Sequence, residues 1–203
     1  MLKVERSSVV SRTQLLNAIA SKRSCQSYLE IGVADGTNFN EVKCPHKVGV
    51  DPDPNARSTS HLTSDEFFAS NAETFDLIFI DGLHHADQVL RDIHNSMLCL
   101  RPGGTIVLHD CSPTTEAMQA VPRIQGEWTG DVWKAFVTTR SKFGIFGCVV
   151  DIDYGCGVLV PSRTSERLII NDQLTWENLV LHRRHWLNLV SASWFVTSSL
   201  RNE

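Results

Sequence analysis

Apolar positions along the chain fall into short, nearly continuous runs separated by amphipathic stretches. SRTQLLNAIASKR puts Leu15, Leu16 and Ile19 on one helical face behind Ser11, a natural N-cap, so the pattern opens on a helix. SYLEIG and KVGVD then read as two strands, and a strand or loop around STSHL leads to a helix that Ser64 would cap, with Phe67 and Phe68 inward. FDLIFID is a further strand, and DQVLRDIHNSML after it gathers Val89, Leu90, Ile93 and Met97 on one face. LRPGG marks a turn and GGTIVLHD the next strand. GDVWKAFVTTRSK predicts a helix, and GIFGCVVDID with YGCGVLVP predicts a hairpin turning at Asp153, Tyr154 and Gly155. The tail from Leu174 to Leu200 reads as mostly helical.

Strands that are apolar on both faces and alternate with helices require a mostly parallel sheet covered on both sides. The pattern therefore predicts one α/β domain with a Rossmann-like, doubly wound sheet of about seven strands, helices on both faces and a C-terminal antiparallel hairpin. Within residues 1–203 it divides into an N-terminal helix (1–24), a core (25–161) and a C-terminal helical extension (162–203). Ligands of such sheets bind beyond the carboxyl ends of the strands, where strand order reverses.

Composition narrows the choice. The chain has 203 residues, of which 42% are hydrophobic and 21% charged, with a net charge of −4. Its Lys and Arg form no stripe, which argues against a nucleic-acid partner. No apolar run reaches the roughly 20 residues of a membrane span, and the start lacks a signal-peptide pattern, so a cytoplasmic protein is expected. The six cysteines contain no C-x-x-C pair and read as small hydrophobes of a reduced protein. Cys111 is noted because it follows a candidate site.

Candidate chemistry sits where the strands stop. The first ends in Glu30-Ile31-Gly32-Val33-Ala34-Asp35-Gly36, an acid followed by two glycines that permit a tight turn and close ligand approach. The second ends at Asp51, where a carboxylate can accept from both hydroxyls of a ribose. FDLIFID ends in Asp81, followed by Gly82, His84 and His85, and GGTIVLHD ends in His109 and Asp110. On adjacent strands, Asp81, His109 and Asp110 would form a partial ligand set for a divalent metal.

Together E-x-G-x-x-x-G, Asp51, L-R-P-G-G and the closing hairpin resemble the class I S-adenosylmethionine-dependent methyltransferases over roughly residues 25 to 161. The resemblance implies that Glu30, Gly32 and Gly36 belong to the cofactor loop, with the glycines at its methionine end. It also implies that Asp51 holds the ribose, that Ser64 and Asp65 lie near the adenine, and that Asp81 faces the transferred methyl. Ala34 stands where many relatives have a glycine.

D-G-x-H followed by H-D, with Asp92 on the helix, is similar to the metal-dependent O-methyltransferases that modify sugars and natural products. An imidazole in the ligand set shifts the preference from Mg²⁺ toward Mn²⁺, Fe²⁺ or Zn²⁺. Metal coordination would activate an acceptor hydroxyl, and His84, with His85 in reserve, would take its proton. The resemblance thus implies a methyltransferase acting on a small-molecule acceptor, such as a sugar or polyhydroxylated metabolite.

Duller readings stay open. Asp81 also reads as a helix cap, His84 and His85 as exposed loop residues, His109 as a half-buried ring positioning Asp110, and Asp92 as a solvated or structural acid. His46, His61 and His94 read as structural, and Asp35 and Asp53 as peripheral. The segment from Cys111 to Trp133, with Trp128 and Trp133, could lid an acceptor or simply pack. The stripe Trp176, Leu179, Trp186, Val190 and Trp194 reads as core or a homodimer face, and HRRH at 182–185 as solvated. Functional alternatives are a metal-independent methyltransferase on another nucleophile, a non-enzymatic cofactor-binding domain, and an NAD-dependent oxidoreductase, although GVADGT lacks the G-x-G-x-x-G spacing of the last.

Overall fold

A computed structural model describes residues 11–142 and 144–199. Helix α1 (Arg12–Lys22) precedes β1 (Ser27–Ile31), α2 (Thr37–Glu41), β2 (His46–Val50) and α3 (Ser64–Ser70). Next come β3 (Phe75–Ile80), α4 (Ala86–Cys99), β4 (Leu100–Leu108), α5 (Glu116–Gln119) and α6 (Val132–Arg140). The hairpin β5 (Ile145–Val150) and β6 (Cys156–Pro161), then α7 (Trp176–Leu187) and β7 (Leu189–Val190), complete the labelled elements.

The strands form one seven-stranded sheet in the order β2-β1-β3-β4-β6-β5-β7. Strands β1 to β4 pair in parallel, β6 runs antiparallel to both β4 and β5, and β7 lies parallel to β5. From β1 the chain moves outward to β2 and then crosses back to β3, which makes the β1/β3 boundary the switch point. Successive residues face opposite sides. Leu29, Ile31, Ile78 and Ile80 meet the α4 and α6 side, whereas Tyr28, Leu77 and Phe79 meet Leu15, Leu16 and Ile19 of α1. Burying each such leucine or isoleucine contributes roughly 1.5–3 kcal/mol, and both layers of helices are anchored this way.

Local chemistry explains where the observed boundaries differ from the sequence pattern. Ser11 caps α1 through Gln14 N at 3.3 Å, as its position suggests. Helix α3 is capped by Thr63, in a reciprocal box with Glu66, so Ser64 is its first helical residue. Around STSHL, between prolines and polar residues, only one bridge forms, Val50 to Ser60. LRPGG is the irregular start of β4, with Gly103 at φ +80° and a register shift against Phe75 and Leu77. In the tail, Asn188 ends α7 in the left-handed conformation, and β7 then adds a short edge strand where continued helix was expected. Leu200, the end of the expected helical tail, lies outside the described residues, as do residues 1–10. Leu179 and Trp186 of the apolar stripe are spent on the chain's own core. No helix among the described residues is long and apolar enough to cross a membrane.

Asp92 is fully buried rather than solvated. Its Oδ1 accepts from Gln88 Nε2 at 3.0 Å, while Oδ2 has no hydrogen-bond partner. Burial raises its carboxyl above the ordinary range despite Ser64 and Gln88 beside it. A raised acid favours the folded state while protonated and loses that advantage as pH rises past the unfolded value of about 3.9. Asp92→Asn is therefore expected to gain stability over wild type between pH 4 and pH 8, read as urea midpoints. An unchanged difference across that range would show that the carboxylate is well served where it is.

Candidate active site

The carboxyl ends of β1, β2, β3 and β4 lie side by side, and the loop after β1 is shaped by its glycines. Gly32 has φ +85°, and a Cβ there would stand 2.2 Å from the Asp81 carbonyl oxygen, so only glycine fits. Gly36, at φ +77°, opens α2, and Ala34 takes a left-handed conformation (φ 49°) in the place where a third glycine is common. Asp51 buckles this loop to the sheet: its Oδ2 accepts from Val33 N at 3.0 Å and Ala34 N at 2.9 Å. Its Oδ1 accepts from Asp53 N at 2.9 Å.

Glu30 points into the core, 1% exposed, where its Oε2 accepts from Tyr28 Oη at 2.5 Å and Asn38 Nδ2 at 3.0 Å. Burial raises its carboxyl to about 7 against those hydrogen bonds. Ser64 and Asp65 meet Gln88 of α4 at 3.0 and 3.2 Å. Asp35 and Asp53 hold their own turns through Thr37 N and Asn55 N.

A dense charge cluster occupies the ends of β3 and β4. His109 is buried, with Nδ1 3.1 Å from Asp110 Oδ1 and 3.3 Å from Asp81 Oδ1, and Nε2 3.5 Å from Asp153 Oδ2. Arg12 of α1 places Nη1 3.0 Å from His109 Nε2, a contact that by itself favours the neutral ring. Burial also opposes the charge, but hydrogen bonds to Asp110, Asp153 and Asp81 outweigh it and raise His109 to about 11. Burial works against the Asp81 anion as well, yet hydrogen bonds from His109 and His84 hold its carboxyl well below the usual range. Asp110 sits at φ 60°, a conformation that Asp tolerates better than most residues. The chain there bends toward the hairpin, with Cys111 N to Gly155 O at 2.9 Å and Ser112 N to Tyr154 O at 2.7 Å.

His84 lies against this cluster. Its Nε2 is 3.2 Å from Asp81 Oδ1, and its buried Nδ1 is 3.1 Å from Asp110 Oδ2 without forming a hydrogen bond. Burial lowers the imidazole, whereas the Asp81 hydrogen bond and the Asp110 charge raise it, and the net shift is upward. One atom each from Asp81, His84 and Asp110 can be chosen so that all lie within 4.8 Å of one another. A cleft of about 230 Å³ opens over them, walled by Arg12, Met118, Glu127, Trp128 and Tyr154.

Solved structures share this architecture at low identity. The O-methyltransferase TomG from Streptomyces achromogenes, in complex with SAM, superposes with a TM-score of 0.58 at 13% identity over 76% of this chain and 82% of that chain. The O-methyltransferase from Bacillus cereus, in complex with SAH, gives 0.53 at 14% identity over 75% and 81%. SAH-bound PaMTH1, a methyltransferase of Podospora anserina, gives 0.55 at 14% identity over 74% and 78%. Residues 29–111, from β1 to the residue after Asp110, match a family described as a methyltransferase domain. Residues 29–111 are thus similar to a methyltransferase domain, set in a fold that solved methyltransferases share. A comparison with curated proteins gave no match.

Within this fold the structure gathers Asp81, His84, His109 and Asp110, but not as one equivalent set. His109 is enclosed by three carboxylates and Arg12, whereas His84 presents an unpartnered nitrogen. His85 is the N-cap of α4 and stands edge-on to Trp128 rather than over the cluster. Cys111 is fully buried and its thiol is pushed up by burial, so it does not open on the cleft. Arg12 and Asp153 escape sequence reasoning because one belongs to an ordinary amphipathic helix and the other to an ordinary hairpin turn. Arg183, read as solvated, donates to Ser112 Oγ at 3.0 Å and Pro113 O at 2.7 Å and holds the chain just beyond Asp110.

The cluster makes stability pH-dependent in a defined direction. An imidazole raised on folding stabilises fully below its unfolded value of about 6.5 and loses that contribution as pH climbs toward its folded one. For His109 the decline runs from about 6.5 to about 11. The stability gap between wild type and His109→Gln in urea should therefore narrow from pH 6 to pH 9. A constant gap would mean that the folded ring is neutral throughout.

Proposed function

We propose that the domain methylates a hydroxyl of a small-molecule acceptor, with Asp81, His84 and Asp110 holding a divalent cation. The observation that carries this reading is His84 Nδ1: buried, without a hydrogen bond, and 3.1 Å from Asp110 Oδ2. An imidazole nitrogen and a carboxylate oxygen at that separation, with no hydrogen bond joining them, suit a cation shared between them. Neighbouring ligands in an octahedral shell with bonds near 2.1 Å stand about 3 Å apart, which the His84 Nδ1–Asp110 Oδ2 pair matches, while Asp81, now at the ring's other nitrogen, would shift to complete the set. Imidazole with carboxylates suits Mn²⁺, Fe²⁺ or Zn²⁺ better than Mg²⁺. That TomG and the Bacillus cereus protein are O-methyltransferases supports an oxygen acceptor.

When bound, S-adenosylmethionine would supply an electrophilic methyl, its sulfur keeping the bonding pair, and the acceptor hydroxyl would release its proton to solvent. A bound divalent cation would lower the pKa of that hydroxyl and fix its orientation. The chain's own residues do the rest. Gly32 and Gly36 shape a loop close enough to Asp81 to hold the methionine end, and Asp51 fixes that loop while offering further lone pairs to a ribose. Ser64 and Asp65 stand at the α3–α4 junction for the adenine. His109 and Arg12 neutralise part of the carboxylate charge, so the cluster survives burial.

A second reading rests on the raised His84, whose own proton can be the shared cation. On that reading transfer is metal-independent: Asp81 orients Nε2, and Nδ1, once deprotonated, accepts the proton of the acceptor hydroxyl.

Thermal unfolding with S-adenosylhomocysteine, with and without Mn²⁺, separates these readings. A ligand at about 100 times its dissociation constant adds about 2.7 kcal/mol, a rise of several degrees in a domain of this size. Asp51→Ala should weaken the S-adenosylhomocysteine shift. Asp110→Asn, which preserves tolerance for positive φ but removes the charge, should abolish any Mn²⁺ shift. Absence of an S-adenosylhomocysteine shift would count against the cofactor, and a shift indifferent to Mn²⁺ and chelator would favour the metal-independent reading.

A further inference from the structure

The imidazole of His84 is set from outside its own loop. Its ring stacks on Trp128, with centroids 5.4 Å apart and planes 24° from parallel. Trp128 is itself pinned: Nε1–H donates to Ala120 O at 2.6 Å, Arg123 lies over the ring at 5.7 Å, and His85 meets it edge-on at 6.0 Å. Two residues on, Gly130 adopts φ +58° so closely against His84 that a Cβ would stand 1.8 Å from the His84 carbonyl oxygen. Asp131 completes the fastening: its amide donates to His84 O at 3.2 Å, and its Oδ1 accepts from Ala86 N, the first residue of α4, at 2.7 Å.

From these contacts we infer that Trp128 is a positioning residue, which fixes the plane of the His84 ring so that Nδ1 stays directed at Asp110. The metal arm of this inference rests on the cation site proposed above; the clasp itself does not. Along the loop, Asp81 holds only the Nε2 corner of the ring, and a single hydrogen bond leaves the plane free to rotate about it. The flat indole removes that freedom. Because Met118, Glu127 and Thr129 of the same segment line the cleft, an acceptor seated there touches the element that orients His84.

The test compares wild type, Trp128→Ala and Trp128→Phe in two assays. In metal-free protein, diethylpyrocarbonate modification of His84 is followed by peptide mass mapping against exposed His94 as internal reference. Separately, Mn²⁺ affinity is measured from the free-ion EPR signal. Trp128→Ala should release His84 to several-fold faster modification and weaken Mn²⁺ binding by about 10-fold, the usual effect of losing a residue that orients a ligand. Trp128→Phe, which retains a flat face, should restore both. Should Trp128→Ala not fold, Trp128→Leu, which fills the space without a ring face, takes its place. Unchanged His84 reactivity in the variant overturns the clasp even if Mn²⁺ binds wild type. Released His84 in a protein that binds no Mn²⁺ at all sustains the clasp and removes the metal.

Discussion

The constraint on which this structure turns is the meeting of Asp81, Asp110 and Asp153 around His109 and Arg12 at the ends of two adjacent parallel strands. These five residues come from four elements: β3, β4, the β5–β6 turn and α1. Charges so deeply placed pay a desolvation penalty of several kcal/mol each unless their partners are well set. Asp81 remains strongly acidic and His109 strongly basic because they face each other. Removing one partner would strand the others, so the helix that opens the described chain and the hairpin near its end are both tied to the centre of the sheet.

The same residues join the two halves of the site. Gly32 approaches the Asp81 carbonyl so closely that the cofactor loop and the charge cluster share one piece of backbone. Asp51 ties that loop to β2, and Asp81 ties it to His84 and His109. A methyl presented by the loop and an oxygen presented at the cluster would therefore lie on neighbouring strand ends, where parallel α/β sheets place ligands.

Much of this was legible in the sequence, for physical reasons that differ by element. Strands buried on both faces leave continuous apolar runs, and FDLIFID and GGTIVLHD cannot be much else. A glycine loop and a left-handed hairpin turn require particular residues, so Gly32, Gly36 and Gly155 announce themselves. The pairing of His84 with Asp110 was not legible, because proximity between a loop and the next strand's end depends on the bend at Asp110. Arg12, Asp153 and Arg183 look like ordinary surface residues until the fold delivers them to the cluster or to the chain beside it. Asp92 stood between two readings, solvated or structural, because a polar residue of an amphipathic helix can be either until α3 is seen to pack over it. The edge strand β7 carries only two residues, too few for any periodicity.

The division of labour between the two histidines follows from what surrounds them. His109 has carboxylates near both nitrogens and a guanidinium near one, so its charge offsets buried Asp110 and the partly buried Asp81 and Asp153. His84 keeps one nitrogen without a hydrogen bond at the floor of the cleft, held by an acid at one corner and an indole across its face. A sequence places both rings beside an aspartate at a strand end and so makes them look interchangeable. Only the neighbours distinguish them: one imidazole is surrounded by charged partners, and the other keeps a nitrogen without a hydrogen bond beneath Trp128.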